Sequence, residues 1–354
     1  MLGHYRFLAA SGVVLAHASG GTDGMSRAMV SAFFIVSGYL MALTLDKNYS
    51  ANPLPFYWNR FLRLYPMHTL IALSVFIMAP WFVTARMGSL LADQYCWKFL
   101  ETLTLTFSYY QIAGPSEGML VGPAWTLPYE LLFYLLAPVI FGLYWRKIPL
   151  GIIVFSAIGI GYLIGNNSLS LLLKPFALSY NNPIAIYASF VMFALGGFLY
   201  HLRSIVRNES HRRLLENAGL YSLALVIILG SRYVAPDGAA FDARYGIFLA
   251  VGAYVSTSLV LLGWSQCETK FSSLTGDLTY PVYLIHWPIL HTGLFNQPFM
   301  REITSYFGHL FHLGHIISTA ALALGASIAL SYLALKLEGK FIRPLRATVK
   351  RQEK

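Results

Sequence analysis

The stretch 6-RFLAASGVVLAHA-18 combines an apolar helical segment with two ionisable side chains, Arg6 and His17. Eleven residues of helix turn through about 1100°, so both side chains project from one face, about 16 Å apart along the axis. Ionisable groups at membrane depth are costly and are usually retained for a function. We therefore predict a first transmembrane helix with a functional cation near one lipid boundary and a titratable imidazole near mid-membrane.

The composition extends this prediction to the whole chain. Of the 354 residues, 56% are hydrophobic and only 11% are charged, and the mean hydropathy is +0.57. Soluble domains carry about 25% charged residues. Recurrent long apolar segments predict an all-α, polytopic transmembrane bundle of about ten helices. The first of them lacks a typical signal-peptide cleavage site and is interpreted as a transmembrane helix. The predicted helices lie at about 7–22, 28–45, 67–86, 127–145, 149–165, 184–200, 217–234, 245–263, 279–295 and 313–336.

The distribution of Lys and Arg predicts the orientation of the bundle. With a cytoplasmic N-terminus, 17 of the 25 basic residues fall on the inside and 7 on the outside, while Arg6 lies at the boundary. This bias predicts cytoplasmic N- and C-termini in a multi-pass inner or plasma membrane protein. Residues 1–340 form the transmembrane domain, and the basic tail 341–354 is expected to contact anionic lipids rather than nucleic acid.

The two cysteines and the clustered histidines indicate neither a disulfide nor a metal site. Cys96 and Cys267 fall on opposite sides of the predicted membrane, which excludes a bond between them. His309, His312 and His315 have helical spacing, but no Cys or carboxylate accompanies them. We therefore expect no bound metal.

The segment 56-FYWNRFLRLYPMH-68 contains a candidate anion site on the cytoplasmic side. Arg60 and Arg63 are three residues apart, so on a helix they form one two-pronged patch. Such a patch suits the phosphates of a cytosolic cosubstrate, because guanidinium groups grip phosphate oxygens bidentately. The alternative is an ordinary positive-inside anchor. Pro66 is expected to end or redirect this segment where the third transmembrane helix begins.

Two further segments contain polar candidates. In 123-PAWTLPYELLFYLLAP-138, Glu130 could orient a histidine, bind a sugar hydroxyl or pair with a buried Arg. The alternative is that its negative charge only interacts favourably with the dipole at the helix N-terminus. Trp125 in the same segment reads as an aromatic residue of the membrane interface. In 33-FFIVSGYLMA-42, Ser37 favours close helix packing, and its role as a nucleophile has little support from spacing.

The outer loop and the ninth helix contain the remaining candidates for functional residues. The aromatic segment 95–110 is expected to be a helix in the interface, or else part of a lid or acceptor groove. In 276-GDLTYPVYLIHWPIL-290, Asp277 or Thr279 is predicted to cap the ninth helix, with Pro281 in its first turn. His286 lies at mid-depth on the same face as Thr279. It is a second functional candidate, or an interhelical hydrogen-bonding residue.

Taken together, the motifs resemble the acyltransferase 3 family of integral-membrane acyltransferases, most closely the exopolysaccharide O-acetyltransferases. The matching segments appear in the family's order over nearly the whole chain. They are Arg6 with His17, 34-FIVSGYLM-41, 60-RFLRLYP-66, 125-WTLPYELLFYLLAP-138 and 279-TYPVYLIH-286.

The resemblance implies transfer of an acyl group, usually acetyl from acetyl-CoA, to a hydroxyl of a cell-surface or exported glycan, free or lipid-linked. It makes Arg6 and His17 the essential pair, Arg60 and Arg63 the coenzyme A site, and Glu130 the acidic site residue. Further candidates are Ser37, Trp125, Tyr280 and His286.

A transporter and a non-catalytic scaffold are the two alternatives to an acyltransferase. A transporter or flippase of a glycan or lipid-linked sugar would also contain intramembrane charge, but no inverted repeat is visible. A non-catalytic scaffold leaves the Arg6 and His17 pair unexplained. In the predicted mechanism, Arg6, Arg60 and Arg63 bind the donor, His17 is the general base, and Glu130 orients or polarises the acceptor hydroxyl. An acyl-His17 intermediate is the main variant.

Overall fold

The structure, a computed structural model, is entirely helical apart from turns and short connections. It describes residues 1–18, 23–49, 54–82, 92–105, 120–143, 184–232, 243–265, 269–291, 302–303, 305–306, 315–342 and 344–345. No strand occurs within these ranges. The predicted all-α membrane fold is confirmed.

Ten α-helices carry the described part of the chain. They are α1 (Leu2–Ala18), α2 (Asp23–Asn48), α3 (Leu54–Phe82), α4 (Ala92–Thr104), α5 (Leu127–Ala137), α6 (Ile184–Leu202), α7 (Glu209–Arg232), α8 (Ala243–Gly263), α9 (Lys270–His291) and α10 (His315–Phe341). A 3₁₀ turn, Gly122–Thr126, leads into α5, and a π-helical turn, Pro138–Leu143, follows it. The predicted helix at 149–165, together with Cys267, His309 and His312, lies outside the described residues.

Four of the described helices are long and apolar enough to cross a membrane by length and composition. The apolar spans are Gly24–Asn48, Leu54–Met78, Glu209–Ser231 and Ser318–Phe341, in α2, α3, α7 and α10. Shorter apolar helices occupy Ser189–Ile205 and Phe248–Gly263.

The third helix differs from its prediction. Instead of beginning near residue 67, α3 begins at Leu54 and continues through Pro66 to Phe82. An interior proline removes one backbone hydrogen bond and crowds the preceding turn, which is why a break was expected. Within a bundle, neighbouring helices supply other polar partners near such a site. The carbonyl that loses its donor to Pro66 is that of Leu62. Two residues further along α3, the Tyr280 hydroxyl of α9 donates to the Leu64 carbonyl at 3.2 Å, so α9 packs against α3 close to the proline.

The ninth helix also begins earlier than predicted. It starts at Lys270, so Asp277 and Thr279 are interior residues rather than caps, and Pro281 and Pro288 both lie inside it. Packing against α1 stabilises the added turns. The N-terminal amino group of Met1 donates to Ser272 Oγ at 3.1 Å.

Helices α1 and α9 run parallel over their whole length. Near their starts, Thr275 Oγ1 and His4 Nδ1 are hydrogen-bonded at 3.1 Å. Near their ends, His17 and His286 are hydrogen-bonded at 2.8 Å. The pairing therefore aligns the two helices along the same stretch of the bundle, with α2 returning antiparallel to α1.

The described part of the segment 95–110 is helical as far as Thr104. The helix α4 packs on α3 through stacked rings of Phe76 and Phe99, whose centroids are 4.3 Å apart. His68 of α3, fully buried, donates from Nε2 to the Thr102 carbonyl at 2.8 Å. Residues 106–119 lie outside the described residues.

Gly38 allows α2 and α6 to approach each other closely. A Cβ atom at Gly38 would lie 2.0 Å from the carbonyl oxygen of Phe193. Small residues at such contacts let transmembrane backbones pack together.

We expect Gly38→Ala to lower the stability of the protein by about 1–3 kcal/mol, because the two backbones must move apart. The measurement is thermal unfolding in detergent. Gly325→Ala is the matched control, since a Cβ at Gly325 meets no atom within 4 Å. An unchanged melting temperature for Gly38→Ala would contradict the close α2–α6 packing.

Candidate active site

Five side chains predicted from the sequence line a single cavity among α1, α2, α3, α5 and α9. They are Arg6, Ser37, Arg63, Glu130 and Tyr280. We call this space the arginine cavity. Its remaining walls are mainly apolar and aromatic, so the two guanidinium groups and the carboxylate are the charged groups among its lining residues. A cavity with two cations from separate helices is suited to phosphate oxygens.

The carboxylate of Glu130 is held in place by two hydroxyl groups. Ser37 Oγ donates to Glu130 Oε1 at 3.3 Å, and the Tyr134 hydroxyl donates to the same oxygen. Tyr134 is one helical turn after Glu130, whereas Ser37 comes from α2. These bonds fix the carboxylate as a hydrogen-bond acceptor at the wall of the arginine cavity.

Arg60 is buried in the protein and does not line the arginine cavity with Arg63. Only 8% of Arg60 is exposed, and its guanidinium carbon lies 5.2 Å from the ring centre of Phe56 and 5.6 Å from that of Tyr134. Its Nε has no hydrogen-bond partner. Arg60 therefore packs by cation–π contact behind Tyr134, and it is Arg6, rather than Arg60, that lines the cavity with Arg63.

A second space lies at the other end of α1. Its polar and aromatic lining consists of His17, Ser26, Arg27, Trp125 and Trp287, joined by Tyr283. We call it the histidine chamber. His17 was predicted near mid-membrane but lies in the last turn of its helix, because α1 begins at Leu2 and ends at Ala18.

His17 is paired with a second histidine. Its Nδ1 lies 2.8 Å from Nε2 of His286, and the two rings are nearly parallel, with centroids 5.1 Å apart and 14° between their planes. The indole of Trp287 packs edge-on against His17 at a centroid distance of 5.1 Å. His286 is completely buried, so the pair presents His17 to the chamber.

Gly122 makes room for the Trp287 indole. A Cβ at Gly122 would lie 2.4 Å from Cε2 of Trp287. The 3₁₀ turn that precedes α5 therefore comes close to α9 and completes the wall of the chamber beside His17.

The two spaces meet at common residues. Val30 of α2 and Tyr283 of α9 line both the arginine cavity and the histidine chamber. The Tyr283 hydroxyl donates to the Pro123 carbonyl at 3.3 Å and to Thr126 Oγ1 at 3.5 Å. These bonds connect α9 to the 3₁₀ turn where the two spaces adjoin.

The comparison with known families identifies the chain. A family model described as an acyltransferase domain, that of acyltransferase 3, matches residues 2–336. The chain belongs to the acyltransferase 3 family. It is accordingly a membrane acyltransferase. Comparison with curated proteins and with solved structures gave no match.

Within this acyltransferase 3 protein, the predicted site residues divide into two groups. Arg6, Glu130 and Arg63 share the arginine cavity, whereas His17 and Trp125 share the histidine chamber. Glu130 therefore neighbours the cations, and the residue hydrogen-bonded to His17 is His286.

Sequence reasoning missed several polar and aromatic residues that line the two spaces, among them Ser26, Arg27, Tyr134, Tyr283 and Trp287. Tyr134 and Tyr283 lie within the quoted motifs, but as aromatic residues of apolar helices they read as packing residues. Arg27 was counted only as an outside charge. Arg27 follows His17 by ten residues and lies near the start of α2, and this short separation in the sequence was the available signal.

No metal site is apparent in the part of the chain that the structure describes. No group of three or more His, Cys, Asp or Glu side chains is arranged to hold a metal there. Cys96, on α4, is exposed and carries a free thiol.

Proposed function

We propose that the protein transfers an acetyl group from cytosolic acetyl-CoA to a hydroxyl of a cell-surface or exported glycan, such as an exopolysaccharide or its lipid-linked precursor. The observation that carries this proposal is the pair of adjoining spaces. One contains the two cations, the other contains the histidine base, and Val30 and Tyr283 line both.

The arginine cavity is proposed to bind the donor from the cytosolic side. The excess of Lys and Arg in the predicted inside segments supports this orientation. Arg6 and Arg63 bind phosphate groups of the CoA, and Arg60 contributes by holding Tyr134. About 16 Å of helix separates Arg6 from His17, which suits a donor whose phosphates and thioester lie far apart.

The histidine chamber is proposed to bind the acceptor. Trp125 and Trp287 offer apolar ring surface for a sugar, while Ser26 and Arg27 offer polar contacts. Arg27 also supplies positive charge on the side of the chamber where a negative oxygen develops during acyl transfer.

The transfer itself requires one proton acceptor and one leaving group. His17 takes the proton of the acceptor hydroxyl as the hydroxyl oxygen bonds to the thioester carbonyl carbon. The carbon–sulfur bond then breaks, and the CoA thiolate receives the proton from His17. The products are the O-acetylated glycan and free CoA, with no metal involved in the step.

The test is transfer of radiolabelled acetyl from acetyl-CoA to glycan by the purified protein in lipid nanodiscs. We expect label covalently bound to the glycan and released by mild base, as an ester is. Movement of glycan across a vesicle membrane without covalent label would instead indicate the transporter. Succinyl-CoA and longer acyl-CoAs, tested in parallel, identify the acyl group.

A bulky residue at the junction of the two spaces should block transfer but not donor binding. We expect Val30→Phe to reduce transfer by about 10²-fold while the Kd for acetyl-CoA is unchanged, because the thioester no longer reaches His17. The measurements are transfer rate and equilibrium binding of labelled acetyl-CoA.

Two variants control for damage to the fold. Val191→Phe adds the same ring on α6, where Val191 is 45% exposed. Val30→Ala widens the junction and should retain transfer. Wild-type transfer by Val30→Phe would contradict a route between Val30 and Tyr283.

A further inference from the structure

We infer that His286 is a positioning residue that sets the tautomer of His17, so that the basic nitrogen of His17 is Nε2. The inference rests on the proposed function and adds the role of a second histidine to it. Three atoms carry it: Nδ1 of His17, Nε2 of His286 and the carbonyl oxygen of Val282.

A backbone carbonyl decides which ring nitrogen of His286 carries the proton. Its Nδ1 lies 3.2 Å from the carbonyl oxygen of Val282, one turn earlier in α9. A carbonyl oxygen can only accept a hydrogen bond, so the proton of this bond belongs to Nδ1 of His286. A neutral imidazole has one protonated nitrogen, and therefore Nε2 of His286 carries a lone pair.

The hydrogen bond between the two rings transmits this assignment to His17. Nε2 of His286 accepts a hydrogen bond at 2.8 Å, and its partner is Nδ1 of His17. Nδ1 of His17 is then the protonated nitrogen, and the lone pair of the ring lies on Nε2. This is the nitrogen that can take a proton from a hydroxyl.

The orientation of the ring is fixed as well as its tautomer. His286 is completely buried, which removes water as a competing partner for the shared hydrogen bond. Trp287 packs edge-on against His17 from the next residue of the same helix. One turn of α9 thus holds His17 from two directions.

The orienting group is a neutral ring rather than a carboxylate. None of the described side chains lining the histidine chamber is an Asp or Glu, and Glu130 lines the arginine cavity. When His17 takes a proton, the positive charge can be shared along the hydrogen bond with His286. A carboxylate, by contrast, would balance that charge.

The experiment compares three variants of His286 in the full-length protein. The amide oxygen of Gln occupies nearly the position of a histidine Nε2, whereas that of Asn corresponds to Nδ1 and is too short to reach His17. We expect His286→Gln to retain kcat within about tenfold of the wild type. His286→Asn and His286→Ala should each lose about 10²-fold in kcat with unchanged KM for acetyl-CoA, because His17 is no longer oriented.

A second measurement is independent of activity. In ¹⁵N-histidine-labelled protein, the His17 signals are those missing from His17→Asn. We expect protonated Nδ1 and unprotonated Nε2 in the wild type and in His286→Gln, and a shift toward protonated Nε2 in His286→Ala.

The outcomes separate the two levels of the proposal. Equal losses of kcat in all three variants, or protonated Nε2 of His17 in the wild type, would overturn the positioning role. No acetyl transfer by the wild type, with the expected tautomer present, would overturn the proposed function and leave the assignment of the histidine pair standing.

Discussion

Replacing His17 with alanine is expected to abolish acyl transfer while leaving the protein folded in the membrane. General-base catalysis contributes roughly 10²–10⁴-fold to a rate, so we expect the transfer rate of His17→Ala to fall by at least about 10²-fold. The measurement is transfer of radiolabelled acetyl from acetyl-CoA at saturating donor and acceptor. Binding of acetyl-CoA should be unchanged, because the arginine cavity does not include His17.

A second substitution separates the base from the hydrogen bond that orients it. The amide nitrogen of Asn at position 17 can donate to His286 from nearly the position of Nδ1, but Asn has no basic nitrogen at the position of Nε2. We therefore expect His17→Asn to lose as much activity as His17→Ala, with a smaller loss of stability. Retained activity in His17→Asn would show that the base is another group.

The control for these variants is a histidine far from both spaces. His211 is exposed on α7 and lines neither space. His211→Ala should transfer acetyl at the wild-type rate. A comparable loss in His211→Ala would mean that histidine substitutions damage the protein generally, and the assignment of His17 would then fail.

The second large effect is expected at the arginine cavity. Arg6→Gln and Arg63→Gln should each raise the KM for acetyl-CoA by about 10–100-fold, since a hydrogen bond to a charged group contributes about 1.5–3 kcal/mol. The effects of the double variant should be less than additive, because both side chains face the same ligand. The measurement is the KM for acetyl-CoA at saturating acceptor.

The choice of donor tests whether the arginines bind phosphate. Acetyl-pantetheine contains the thioester but no phosphate, so the wild type and the two arginine variants should use it equally well. A persistent loss with acetyl-pantetheine would assign Arg6 and Arg63 to another task. Arg213→Gln is the matched control, because the Arg213 side chain is 75% exposed on α7.

Much of the fold could be predicted from local patterns. Helix formation in apolar segments depends on nearby residues, so nine of the ten predicted helices correspond to described ones. The two largest displacements of a helix start, at α3 and α9, occurred where a proline favoured a boundary in the sequence. At Pro66 and Pro281 the packing of neighbouring helices outweighed the local cost of proline.

The structure places most of the predicted site residues around two spaces, and the sequence did not predict how they are divided between them. The motifs that resemble the acyltransferase 3 family pointed to four residues, and each of them lines one or the other of the two spaces. Arg6, Arg63 and Glu130 line the arginine cavity, and His17 lines the histidine chamber. Spacing alone joined Arg60 to Arg63, since they are three residues apart. The rings of Phe56 and Tyr134 bury Arg60, and those contacts depend on how α3 packs.

By itself the sequence determined the helical membrane fold, the acyltransferase 3 family and the common face of Arg6 and His17, because hydropathy and helical periodicity are properties of neighbouring residues. Only the tertiary structure decided which group holds His17. His286 is 269 residues away in the chain, and it reaches His17 because α1 and α9 pack in parallel with one particular alignment. That alignment arises from contacts along both helices, and no local pattern contains it.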